Sequence, residues 1–116
     1  MSTPPQKSLS IWQGNDERFI FNLKDASGLP MDLTDSEIVL TVASIPDLRK
    51  STNDVDSGLA LTDAAAGQFT LTITHGETRN MPKGNNSYEI ERRLDDWQTT
   101  LLYGYFEVQG GLNDDV

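Results

Sequence analysis

Hydrophobic and polar residues alternate in several short runs of this chain, and the alternation has period two rather than 3.6, as half-buried β-strands require. Residues 68–74 are the cleanest case, with Phe69, Leu71 and Ile73 on one face and Thr70, Thr72 and Thr74 on the other. Residues 17–23 set Phe19, Phe21 and Leu23 against Arg18, Ile20 and Asn22, and residues 37–42 present Ile38, Leu40 and Val42 to one side. Residues 87–93 place Tyr88 and Ile90 on a common face. In residues 100–109, Leu102, Phe106 and Val108 point inward with Gly104 leaving space among them, while Leu101, Tyr103 and Tyr105 point the other way. Shorter strands are predicted at residues 9–13 and 58–62. About seven strands with turn signals between them predict an all-β chain, an immunoglobulin-like antiparallel β-sandwich.

The intervals carry turn chemistry. Asp25, Ser27, Gly28 and Pro30 favour a turn through local hydrogen bonding, positive φ and fixed φ, so residues 24–30 are expected to form a hairpin connection. Residues 63–67 and 95–99 are expected to act similarly. The one helical candidate is residues 75–80, where Thr74 is placed to act as N-cap and Glu77 completes a capping box before Pro82 and Gly84. Residues 44–57 are polar, rich in Asp and Asn, and are expected to form a mobile loop. Residues 1–7 and 110–116 have too little apolar content to pack, so a flexible N-terminal segment and a flexible C-terminal tail are expected around one sandwich domain at 8–109.

Composition narrows the function. With 116 residues the chain suits a single core. Cysteine is absent, which removes thiolate nucleophiles, Cys-ligated zinc and iron–sulfur chemistry. Eighteen acidic against nine basic side chains give a net charge of −9, the wrong sign for a protein that binds by neutralising phosphates. Free nucleic acid is therefore not an expected partner. No run approaches the roughly 18 apolar residues of a membrane span, and the N-terminus lacks a signal-peptide core, so no membrane insertion is expected.

Candidate chemistry is sparse. The single histidine, His75, has no second histidine or cysteine with which to build a metal site or triad. Asp54, Asp56 and Gly58 superficially match a calcium loop but lack the further ligands and the closing Glu. Asp95 and Asp96 sit in a turn beside Trp97, where turn formation explains them better than acid–base work. Asn85–Ser87 is a glycosylation sequon with no secretory signal to make it meaningful. No catalytic residue, cofactor or metal site is expected, and the chain is read as a non-enzyme. The aromatics remain: Trp12, Trp97, Tyr103 and Tyr105 fall in or near strands, and residues 98–106 carry no charge. They are candidates for partner contact, the alternative being aromatics covered within the sandwich or exposed singly.

Three linked phrases carry a resemblance: "QGNDERFIFNLKDASGLPMDLTDSEIVLTV" at 13–42, "LTDAAAGQFTLTIT" at 61–74 and "SYEIERRLDDWQTTLLYGYFEV" at 87–108. In this order they resemble the N-terminal domain of the tailed-bacteriophage baseplate upper protein and related small virion β domains. Gly28, Pro30, Leu33 and Thr34 match that pattern, Tyr88 and Phe106 fit its core and Gly104 its last strand, whereas Asp35 stands where such domains often have Gly. The resemblance implies a β-sandwich that attaches or spaces parts of a tail, baseplate, fibre or capsid surface. It also implies other virion proteins as partners, a homo-oligomer, and a chain made in the host cytoplasm and carried in the virion. Two other readings are open on the residues alone. One is a free-standing receptor- or carbohydrate-binding module using Trp12, Trp97 and residues 44–57. The other is an accessory domain of a larger enzyme.

Overall fold

The alternating runs pair into two sheets, each turning its apolar side toward the other. The computed structural model describes residues 4–43 and 48–110. Its strands are β1 (Leu9–Gln13), β2 (Glu17–Asn22), β3 (Glu37–Val42), β4 (Arg49–Ser51), β5 (Leu59–Asp63), β6 (Gln68–Ile73), β7 (Gly84–Leu94) and β8 (Trp97–Gly110), with a short α-helix α1 (His75–Arg79) and a 3-10 turn at Ala64–Ala66. One sheet has the order β1-β8-β7-β3-β4 and the other β2-β6-β5. The chain is thus an all-β sandwich. The neighbours β3-β7-β8 on one side and β2-β6-β5 on the other are those of strands C-F-G and B-E-D in an immunoglobulin-type sandwich, with β4 added beside β3. Every described pair is antiparallel except β1, which runs parallel to β8.

The inward rows interdigitate as their periodicity predicts. Ile38, Leu40, Phe69, Leu71, Ile73, Ile90 and Phe106 are fully buried. Phe21 stacks on Phe69 with ring centroids 4.8 Å apart, and Tyr88 stacks on Phe106 at 4.6 Å. Each such ring removes an area worth a few kcal/mol of transfer free energy, so these two stacks anchor the inner faces of β2 with β6 and of β7 with β8. Leu33 and Met81 enter the core from connecting segments.

Several expectations are corrected. Residues 24–30 do form a tight turn, with Asp25 Oδ1 accepting from Ser27 N and Leu29 N and with Gly28 at φ 83°. They close a local antiparallel bridge, Lys24↔Pro30, with Met31 N donating to Leu23 O, but they do not join β2 and β3 as a hairpin, because those strands belong to opposite sheets. The strand count is eight because the segment expected to be a mobile loop contains β4, with Leu48, Lys50 and Ser51 buried; residues 44–47 lie outside the described part. Leu101 is buried rather than outward, since the β7–β8 register shifts between Ile90 and Glu91 and Leu101 occupies the extra position of a β-bulge. The first seven residues were expected to be loose, yet Tyr103 N donates to Pro5 O and Lys7 N donates to Tyr103 O, prolonging the parallel pairing of β1. Residues 1–3 and the tail at 111–116 lie outside the described part.

The predicted helix is present as one short turn. Thr74 Oγ1 accepts from Glu77 N while Glu77 Oε1 accepts from Thr74 N, a complete capping box. No helix among the described residues is long and apolar enough to cross a membrane.

Candidate interaction surface

The four aromatic candidates do not form one patch. Tyr103 and Tyr105 project from β8 on the face opposite Leu102, Phe106 and Val108, and Ser10 and Trp12 share that outer face on β1. Tyr105 is 39% exposed and Trp12 49% exposed. Trp12 lies against the end of β8, where a Cβ on Gly110 would come within 2.2 Å of its ring. On the same face Tyr103 is opposite Glu89, and Tyr105 is opposite Ser87 with Glu107 two residues on, so the outer aromatics sit among carboxylates.

Trp97 belongs elsewhere. It pairs with Leu94, and Leu94 shares the inner side of β7 with Tyr88, Ile90 and Arg92. Trp97 therefore projects on the side facing the second sheet, but beyond the end of the core, and is 72% exposed. A two-residue turn of Asp95, at φ 53°, and Asp96 carries it. Trp12 and Trp97 stand near opposite ends of β8, twelve residues apart in register, which at strand rise is about 40 Å.

The remaining candidates have structural partners. His75 Nδ1 lies 3.0 Å from Asp16 Oδ1, which also accepts the His75 N–H at 2.6 Å. That backbone hydrogen bond is the main reason the Asp16 carboxyl is held below its ordinary range. Both side chains are largely exposed, so the pair fastens the β1–β2 turn to α1 in a solvated setting. Asp54 and Ser57 close local turns, with Ser57 N donating to Asp54 O. Among the described residues no group of three or more His, Asp or Glu is arranged to hold a metal ion.

One buried ionic group escapes the periodicity altogether. Lys50 lies opposite Leu40 on the inner face of β4, and its ammonium donates to Ser57 O at 2.6 Å and to both Glu77 oxygens at 2.9 Å. Burial raises the Glu77 carboxyl, but the hydrogen bond from Thr74 and the contacts with Lys50 outweigh it and leave it lowered. All three ammonium protons have acceptors, so the arrangement closes one end of the sandwich and leaves no reactive proton.

A broad concavity lies beside β8 next to the N-terminal segment. Beside β1 the register Leu9↔Phe106 continues through Gln6↔Tyr103, and among the described residues no strand pairs with the same edge of β8 at 97–102. A groove of about 640 Å³ opens there, walled by Pro5, Met31 and Leu101 and by the polar Lys24, Asp25 and Thr100. Compared with protein-family models and with curated proteins, the chain matches none.

Proposed function

We propose that this chain is a non-enzymatic structural component of a bacteriophage virion, at the tail, baseplate or capsid surface, acting by protein–protein assembly. The observation that carries the reading is the resemblance of the three phrases, which fall on β2 to β3, β5 to β6 and β7 to β8, the segments that make both sheets. Asp35 lends support from geometry: where the family often has Gly, Asp35 adopts φ 64°, the left-handed region that glycine favours. Among the described residues Asp25 closes a turn, Thr74 and Glu77 cap α1 and Lys50 is paired with Glu77, while the exposed rings of Trp12, Trp97 and Tyr105 are suited to contact. Partners are other virion proteins and further copies of the chain.

The test is to raise antibodies to the purified chain and follow it through density-gradient banding of phage particles from the source culture. Co-banding at fixed stoichiometry is the expected result. Recovery only in the free protein fraction, with particles lacking it, would overturn the reading. Tyr105→Ala and Trp97→Ala should each reduce incorporation while leaving the fold intact.

A further inference from the structure

We infer that β1, with the residues just before it, is an exchangeable strand that passes from its own β8 to the β8 of a second copy, and that the grip of α1 on residues 14–16 is the latch restraining it. The inference rests on the reading of this chain as one that associates with further copies, and it names the contact by which two copies join.

β1 is lightly held. Among the described residues it pairs with β8 alone, and the pairing continues backwards where Lys7 N donates to Tyr103 O and Tyr103 N donates to Pro5 O. From Pro5 to Gln13 only Leu9 and Ile11 are buried, while Pro5, Gln6, Lys7 and Ser8 are exposed. Backbone hydrogen bonds therefore do most of the holding, and an edge strand can leave without parting any other pair in its sheet.

The slot is nevertheless shaped for this strand. Gly104 gives Lys7 O its room, since a Cβ there would come within 1.9 Å of that oxygen, and the Tyr88 hydroxyl donates to the same atom at 2.7 Å. Gly110 leaves space for the Trp12 ring. A second copy brings the same Leu9, Ile11 and Trp12 to the same slot, which a strand of another sequence does not. Exchange thus conserves the contacts of both copies and alters only the joint, a low-cost route to a dimer.

The joint is short, and its fastenings are polar. Residues 14–16 carry the chain from β1 in one sheet to β2 in the other. Gly14 N donates to Thr78 Oγ1 at 3.0 Å, Thr78 Oγ1 donates to Asn15 O at 2.9 Å, and Asp16 Oδ1 accepts from His75 N at 2.6 Å. Asn15 and Asp16 are exposed, so straightening the joint breaks these bonds to α1 but uncovers no core of its own. Short joints of this kind favour exchange, and here α1 sets how readily the strand leaves.

The chain has no cysteine, so thiols can be placed freely, and Ser10 and Glu107 are exposed partners in the β1–β8 register. The test mixes Ser10→Cys with heavy-nitrogen-labelled Glu107→Cys, adds a short bis-maleimide and locates the links by mass spectrometry. The double variant Ser10→Cys/Glu107→Cys, kept dilute, should link within one chain. In the mixture, links between the two different chains are expected to grow with protein concentration, and with salt, because screening weakens repulsion between copies of charge −9. Adding Thr78→Val to both chains removes two of the latch bonds and should raise the yield about tenfold. Asp16→Ala, a change at an exposed side chain, should raise it severalfold and covers the case in which Thr78→Val does not fold. The absence of links between chains would overturn the inference. So would links between unlike positions no more frequent than those between like positions, or a yield that neither latch variant raises, since either result describes collision. The isolated chain is used, so a chain that co-bands with particles without exchanging would lose this inference alone.

Discussion

Tyr88 shows how much of the N-terminal docking depends on single residues. Its ring lies in the core against Phe106, while its hydroxyl donates to Lys7 O at 2.7 Å. Gly104, directly opposite Tyr88, makes that reach possible, since a Cβ there would come within 1.9 Å of the Lys7 oxygen. Burial pushes the Tyr88 phenol up to about 12. The unfolded chain loses this proton near pH 10, so the stability contributed is fully present below pH 10 and is lost as pH rises from 10 through about 12. Urea unfolding across that interval should show a loss on the order of 2 kcal/mol in the native chain that Tyr88→Phe, with no proton to release, does not share. Parallel declines in the two proteins would refute the assignment. Asp35 supplies an opposite case: at φ 64° an L side chain is strained, so Asp35→Gly should stabilise by about 0.5–1 kcal/mol in chemical denaturation. Asp35 was legible as a departure from a glycine position, whereas its positive φ was not, because sequence carries no direct record of φ.

At the level of elements, what was legible depended on range. The capping box of α1 was readable because Thr74 and Glu77 are three residues apart and need only each other. β4 was not readable, because its three residues, Arg49, Lys50 and Ser51, show a polar string with no period and owe their burial to partners far away in sequence. Lys50 is held by Glu77, 27 residues on, in a different element. The Leu101 bulge was hidden for a similar reason: of the adjacent pair Leu101 and Leu102 either could face the core, and the slip exists only relative to Ile90 and Glu91 on β7. The Lys50–Glu77 pair gives the element-scale prediction. Glu77→Ala leaves a buried ammonium with only Ser57 O, and should cost about 3 kcal/mol in equilibrium unfolding. Adding Lys50→Met should recover most of that loss, which a double-mutant cycle would read as strong coupling; additive losses would show that the pair is incidental.

For the whole molecule, the sheet pairing separates what the sequence leaves together. Trp97 and Tyr105 are eight residues apart on one strand, yet the bulge and the length of β8 put them on different faces, so the chain offers two distinct surfaces rather than one. The body is elongated, 45 × 29 × 23 Å. Its acidity sets how such a body behaves as pH falls. The sequence pI is about 4.3, where net charge vanishes and repulsion between copies is lost. Asp16, Asp32 and Glu77 are all held below their ordinary values, Asp16 chiefly by the His75 backbone N–H and Asp32 chiefly by the Thr34 hydroxyl, while at Glu77 burial opposes the lowering by Thr74 and Lys50. Groups of this kind contribute stability that is present above their ordinary range near pH 4 and is lost only as pH falls through the depressed values. Loss of solubility should therefore precede loss of structure. Turbidity should peak near pH 4.3 in protein that keeps its β circular-dichroism spectrum, and unfolding should follow at lower pH, at an acid midpoint that Glu77→Gln moves upward. Unfolding complete before turbidity appears would show that these carboxylates are not the groups that hold the sandwich in acid.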